Sequence, residues 1–339
     1  MKIPFKFNGS GSEYFKIWIV NILFTILTLG IYSAWAKVRT KRYFYSKTLI
    51  DNSSFEYHAT PIQILKSRII ALVLIIIYGF VSSNPDNYII TLLMAASFYL
   101  SLPFLISKAI IFNARNSSWR NIRFGFNTDS LGEAYKVYLL LPILIPFTLS
   151  LIVPYISYKG WKFYISNAKF GKSHFEFDTA KISSFYKIYF ICLFFIVLLI
   201  FVLGGTAYLR FKNEDIFIMT FVQIIPLFFT IVFIIIFNSY RVLVRNIALN
   251  NMVISKHTFE STVKLPSFFK IYFTNFFLII ITLGLFLPWA KVRMTKYLAS
   301  NLFLLPEGDL NSFVQSEIKK VGAFGEEFTD ISDVDIGGL

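Results

Sequence analysis

Seven long apolar runs set the terms on which this 339-residue chain can fold. They cover about Ile17–Ala36, Ile69–Ser82, Tyr88–Phe112, Val137–Ile156, Ile188–Leu209, Ile216–Phe237 and Ile271–Ala290. A run of ~20 apolar residues is the length an α-helix needs to cross a bilayer. A helix is also the only open-ended element that satisfies its own backbone in lipid. The strands of a membrane barrel would alternate apolar and polar residues, and these runs do not. Composition agrees: 56% of the chain is apolar and 15% is charged, against about 25% charged in soluble domains. Cys192, the single cysteine, lies inside an apolar run and supports neither a disulfide framework nor a Cys-rich metal site. The expected fold is an all-α, polytopic helical membrane protein.

Charge is distributed unevenly. From Glu307 onward there are eight acidic residues and two lysines, so a net charge of +14 for the whole chain leaves +20 on residues 1–306. These cations punctuate the apolar runs and form no separate basic domain, which argues against nucleic acid as a partner. Basic loops of this kind mark the cytoplasmic side of a membrane protein. Met1–Glu13 lacks a charged segment abutting a short apolar core, so no removable signal peptide is expected.

The chain repeats itself. A shift of 254 places Phe15-Lys16-Ile17 on Phe269-Lys270-Ile271, Asn21 on Asn275, and Thr28-Leu29-Gly30 on Thr282-Leu283-Gly284. It also places Trp35-Ala36-Lys37-Val38-Arg39 on Trp289 to Arg293, with 14 of the 29 positions from 15 to 43 identical. A shift of 120 gives a fainter copy, with Thr148-Leu149 on Thr28-Leu29 and Ser150 in place of the glycine. A second signature opens each membrane-directed unit: Phe5-Lys6-Phe7, Phe55-Glu56-Tyr57, Phe124-Gly125-Phe126, Phe175-Glu176-Phe177 and Phe259-Glu260. Such brief aromatic alternation predicts short strands or extended pieces at the membrane surface. Five units follow. Three short copies, near 5–54, 124–174 and 259–306, alternate with two-helix hairpins at 55–123 and 175–258. Together they build a domain over 1–306, followed by an acidic tail, 307–339.

The Phe-x-Phe-x-Gly opening, the block from Thr28 to Arg39, Phe55-Glu56-Tyr57-His58 and the closing stretch from Gly325 to Gly337 resemble the YjgN-like family of bacterial inner-membrane proteins. The resemblance covers nearly the whole chain. It implies a multi-pass protein of the bacterial cytoplasmic membrane and, since the family has no known function, no reaction.

Topology is open at this stage. Placing every basic stretch in the cytoplasm makes the two long units clean hairpins. It also requires the short units, centred on Thr28, Thr148 and Thr282, to enter and leave on one side through a break at the glycine or serine. The alternative is seven crossings, for which ~20 residues each suffice.

Candidate sites follow from these patterns. Trp35, Lys37, Arg39 and Arg42, with Trp289, Lys291 and Arg293, fit an interface anchor of indole and cations, or a site for anionic lipid headgroups; Lys159 and Lys162 join the second reading. Asn21, Asn275 and Gln223 are polar groups within apolar runs, suited to an interhelical hydrogen bond or a substrate path. Gly30 and Gly284 mark breaks, and Pro142, Pro146, Pro154 and Pro226 mark kinks. His58, His174 and His257 lie beside Glu56, Glu176 and Glu260, but the spacing matches no metal-ligand motif. Gly9-Ser10-Gly11 is too short for a phosphate loop. Asp330, Asp333 and Asp335 lack the glycine and closing glutamate of a calcium loop. No catalytic constellation, metal or cofactor is expected. The reading is a non-catalytic lipid-interacting or scaffold protein, with membrane lipids as partners and a protein partner or second copy left open. A transporter is the alternative, and a membrane enzyme a second one.

Overall fold

A computed structural model describes residues 2–177, 180–212 and 216–325. Its centre is a nearly closed antiparallel sheet of eleven short strands, from which helical hairpins rise on one side. The first unit runs from β1 (Ile3–Pro4) and β2 (Lys6–Phe7) through α1 (Gly11–Leu27) and α2 (Ser33–Lys47) to β3 (Thr48–Ile50). The second runs from β4 (Ser53–Tyr57) through α3 (Pro61–Ser82) and α4 (Tyr88–Arg115) to β5 (Ser117–Trp119). The third runs from β6 (Ile122–Phe126) through α5 (Leu131–Tyr135), a π-helical turn, α6 (Leu141–Ile143) and α7 (Val153–Ser166) to β7 (Ala168–Phe170). The fourth joins β8 (Ser173–Glu176) to β9 (Val253–Ile254) through α8 (Ile182–Lys212) and α9 (Ile216–Asn250). The fifth joins β10 (His257–Ser261) to β11 (Leu302–Leu305) through α10 (Leu265–Ile281) and α11 (Leu287–Ser300), and α12 (Leu310–Gly325) follows.

Within each unit the incoming and outgoing strands pair with each other. Neighbouring units are joined by two-residue turns at Asp51-Asn52, Arg120-Asn121, Gly171-Lys172 and Ser255-Lys256, where the first residue always has positive φ. The first two turns keep φ positive at both positions, the hairpin geometry that matches strand twist. β1 pairs with β11 and β2 with β3, so one N-terminal segment brings the two ends of the sheet together. Strands of two to five residues are below the usual length of five or six. Continuous pairing around the ring compensates, because it leaves almost no open edge.

The phenylalanine signature accounts for the ring interior. Successive strand residues face opposite sides, so the first aromatic of each signature (Phe5, Phe55, Phe124, Phe175, Phe259) points inward at one level. Four of them have an apolar partner on the outgoing strand: Phe55 opposite Trp119, Phe124 opposite Phe170, Phe175 opposite Ile254 and Phe259 opposite Leu304. The second position lies nearer the helices. Phe7, Tyr57, Phe126 and Phe177 are buried there, and Ser261 takes the place in the fifth unit. Each such ring contributes about 1.5–3 kcal/mol by leaving water. The expectation of an all-α protein is therefore corrected. The helices dominate, but a sheet organises them, and its outgoing strands are too short to read before they are paired.

The short units turn back. At the first break Leu29 and Gly30 adopt φ of 50° and 92°, and at the third break Leu283 and Gly284 adopt 49° and 92°. Between them, Leu149 and Ser150 adopt 48° and 68°. Gly30, Ser150 and Gly284 each donate their N–H to a carbonyl five residues back (Thr25, Ile145, Ile279), closing the preceding helix. The threonine then serves the next helix: Thr28 Oγ1 accepts from Tyr32 N–H at 2.9 Å, and Thr282 Oγ1 from Phe286 N–H at 3.0 Å. Thr-Leu-Gly is thus a reversal, with glycine where φ is farthest into the positive region.

Among the described residues four helices, in α3, α4, α8 and α9, are long and apolar enough to cross a membrane. The other three apolar runs, 17–36, 137–156 and 271–290, are each divided by a reversal and return to the ring.

Candidate functional site

The two repeated asparagines sit where each short hairpin changes character. Asn21 Nδ2 donates to Ala36 O at 3.5 Å and Asn275 Nδ2 to Ala290 O at 3.1 Å, joining the two legs across the hairpin. Beyond this tie every residue up to the break is apolar apart from threonines. From Asn21 to Leu29 is about 12 Å at 1.5 Å per residue, less than half of a hydrocarbon core ~30 Å thick. The tips carry Leu29, Leu283 and Leu149, exposed to 96%, 94% and 84%. The asparagines line no polar path: both are buried and bonded to backbone. Gln223 lies outside the residues whose side chains are described.

Below the tie the legs are basic. Arg39 Nη1 donates to Tyr32 Oη at 2.9 Å, leaving Asn21 Oδ1 buried without a partner. In the other copy Phe286 replaces Tyr32 and has no hydroxyl, so Arg293 Nη1 turns to Asn275 Oδ1 at 2.9 Å. Arg42 Nη2 donates to Ala59 O at 3.2 Å, and Lys291 Nζ lies 4.7 Å from the centre of the Phe44 ring. Lys41 hydrogen-bonds Asn113 on α4 and lies over Tyr57; burial, and then the nearby Lys37, holds its pKa below the ordinary lysine value. Among the described residues of α1–α11 the acidic side chains are Glu13 and Glu133.

The two tryptophans sit between units. Trp35 stacks on Tyr32 and packs beside Ala34, Val38 and Ile64, the last from α3 of the next unit. Trp289 lies 4.9 Å from Phe15 of α1, ring centre to ring centre, and closes over Gly11. Each indole thereby joins its hairpin to the following unit around the ring. A second lock accompanies them. Tyr43 Oη accepts from Ser10 N–H and donates to Ser10 O, and Tyr297 does the same at Lys264. Burial, with Glu13 beside it, pushes the Tyr43 phenol up to about 12.

The ring encloses a cavity of about 320 Å³ lined by the five signature phenylalanines and their partners. α12 closes the end away from the hairpins, with Leu310 and Phe313 reaching the cavity and Val314 buried beside them. Glu317 fastens it. Its fully buried carboxylate accepts from Lys172 N–H at 2.9 Å, Ser173 N–H at 3.2 Å and Ser173 Oγ at 2.8 Å. The acidic stretch from residue 307 thus begins with a docked helix; Asp330, Asp333 and Asp335 lie outside the described residues. On the hairpin side a second pocket of about 310 Å³, lined by Asn113, Ser117 and Lys169 among others, shares Phe55, Phe124, Tyr164 and Ala168 with the first.

The histidines do not converge. His58 Nε2 meets Ser118 Oγ at 2.7 Å, His174 is exposed, and His257 is buried against Phe313 with its Nδ1 accepting from Glu307 N–H at 3.2 Å. Among the described residues no three His, Cys, Asp or Glu side chains group to hold a metal. Cys192 is buried, with its Sγ 4.0 Å from Ile236 O. Pro142, Pro146 and Pro154 flank the reversal of the third unit rather than kinking a long helix. The ring cavity and the docking of α12 were not read from sequence; the five-fold recurrence of phenylalanine was the signal that could have found the first.

The profile of a family described as "Bacterial protein of unknown function (DUF898)" matches residues 2–331. The chain is 34% identical over 149 residues to a protein named Inner membrane protein YjgN of Escherichia coli O157:H7, covering 42% of this chain and 36% of that relative. It is 25% identical over 358 aligned positions to the protein of the same name in Salmonella typhimurium LT2, covering 90% and 89%. No solved structure matches.

Proposed function

Starting from a chain that belongs to the bacterial family DUF898, of unknown function, we propose a non-catalytic, lipid-interacting protein of the inner membrane. In this reading α3, α4, α8 and α9 cross the bilayer, while the three short hairpins dip into one leaflet and hold the ring against its surface. The observation that carries it is the gradient along the short hairpins: a leucine tip on all three, an asparagine tie on those of Asn21 and Asn275, then legs rich in Lys and Arg with Glu13 and Glu133 as the acidic exceptions. That sequence of layers complements acyl chains, then glycerol, then anionic headgroups. Positive charge supports a cytoplasmic position for the ring, and each exposed cation near the surface adds on the order of 1 kcal/mol of attraction to anionic lipid. The matching φ values and hydrogen bonds at the three breaks support a common repeated unit. Transport has less support, because Asn21 and Asn275 are engaged with backbone rather than facing a path.

The test is the lipid that copurifies. Mass spectrometry of lipids bound to the purified protein is expected to show anionic phospholipid enriched several-fold over the source membrane. The variant carrying Lys37→Gln, Arg39→Gln, Lys291→Gln and Arg293→Gln is expected to lose at least half of that enrichment. Bound lipid of bulk composition in the wild type would overturn the reading.

A further inference from the structure

The ring interior is built as a ligand site, and the lipid-interacting reading on which this inference rests says what class of molecule is at hand. Eighteen residues line the cavity, and only Trp119, Tyr164 and His257 among them carry a side-chain nitrogen or oxygen. Two of these are already satisfied: Trp119 Nε1 donates to Ser53 O at 3.2 Å, and His257 Nδ1 accepts from Glu307 N–H. Tyr164 lies where the two pockets meet and lines both. On the hairpin side polar groups appear together: Asn113, Ser117 and Lys169 line the second pocket, and Lys41 reaches Asn113 from α2. The combined space is therefore apolar at its deep end and cationic at the end that faces the membrane layer. Leu310 and Phe313 close the deep end, so the site opens toward the hairpins. A cavity of about 320 Å³ is at the small end of the ~300–1,000 Å³ range of ligand sites, which suits one chain and excludes two.

We propose that the ring and the adjoining pocket form a single binding site for one acyl chain of an anionic lipid. The chain lies among the five signature phenylalanines, and the acidic head meets Lys41 and Asn113. This gives the repeated Phe-x-Phe signature a purpose beyond packing, since its first aromatic supplies the wall of the site and its second anchors the helices. The same chemistry could be presented by a free fatty acid or by one chain of a bilayer phospholipid.

Photocrosslinking of the full chain in lipid nanodiscs separates these sources. Two probes are used: palmitic acid bearing a diazirine near its methyl end, and phosphatidylglycerol with one such chain. The expected result is adducts on peptides containing Phe124 and Phe175, removed by excess unlabelled lipid of the same kind. Labelling by phosphatidylglycerol assigns the bilayer as source, and labelling by palmitate alone assigns the free acid. Ala168→Trp, which fills the space shared by the two pockets, should lower ring adducts at least tenfold while α12 stays protected from protease. Competition in the wild-type chain gives the same answer without relying on that variant. Adducts confined to the hairpin tips and long helices with both probes, or ring adducts that no lipid displaces, would overturn the proposal. Loss of ring labelling with anionic enrichment intact sinks this inference alone; loss of enrichment with ring labelling intact sinks the headgroup reading instead.

Discussion

Replacing Glu317 by Ala should release α12 from the ring. The change leaves the N–H groups of Lys172 and Ser173 and the Ser173 hydroxyl without their acceptor, and frees Lys320, which donates to Oε1 at 2.7 Å. Hydrogen bonds to a charged group each contribute about 1.5–3 kcal/mol, and with the turn regaining water a net cost of about 2–3 kcal/mol is expected. Amides of residues 310–320 should then exchange ~30–150-fold faster, with the rest of the ring unchanged. Burial alone would raise the Glu317 pKa, but the bonds from Lys320, Ser173 and Lys172 outweigh it and hold the carboxyl below its ordinary 4.5. A depressed carboxylate stabilises above its unfolded pKa and loses that contribution as pH falls through the folded value. His257 acts in the same direction. Burial lowers it from 6.5 despite Glu307, so its neutral form favours docking, and protonation costs the bond from Glu307 N–H. α12 should therefore be held at pH 7 and above and loosen progressively below about 6.5. Exchange that is indifferent to both Glu317→Ala and acid would remove Glu317 as the fastening.

Gly11→Ala should damage the closure of the ring of helices more than any tip mutation. A β-carbon at position 11 would sit 2.0 Å from Trp289 Cδ1 and 2.6 Å from its Cγ, so the indole must leave the α1–α11 contact. Gly11 is the first residue of α1 and its φ is not in the positive region, so alanine meets no backbone strain there and a loss of stability is diagnostic of the clash. Overpacking of this kind costs about 1–3 kcal/mol, and Trp289 also gives up its contact with Phe15. In the Trp289→Ala background the clash disappears, so Gly11→Ala should become neutral or stabilising there, a coupling of about 2–3 kcal/mol between the two sites. Thermal unfolding in detergent reads this directly. Additive effects of the two changes would mean that Trp289 does not close over Gly11.

These two residues also show what the sequence could and could not disclose. Trp289 and Gly11 were both visible, one in the Trp-Ala-Lys-Val-Arg copy and one in the N-terminal Gly-Ser-Gly, but they are 278 positions apart and meet only because the ring closes. The reversals were legible only as one of two alternatives, because their local cause competed with a run length that suffices for a crossing. A threonine able to cap, followed by a residue free to take positive φ, recurs at Thr28, Thr148 and Thr282. Phe55, Phe124 and their counterparts announced extended segments, whereas Thr48–Ile50 and Val253–Ile254 carry no alternation of their own and become strands through their neighbours. α12 was obscured by charge. Glu317 counts toward an acidic tail in composition, yet it is the buried residue that docks the helix.

In the proposed topology three apolar runs of near-crossing length turn back, so that every basic leg lies on one face. In a Cys192→Ser background, single cysteines at Arg39, Lys162, Arg293 and, on the far side, Asp86 can be labelled in intact cells and inverted vesicles with a membrane-impermeant maleimide. Positions 39, 162 and 293 should react only in inverted vesicles and position 86 only in intact cells. Reaction of any of the first three in intact cells would make its hairpin a true crossing and contradict the account.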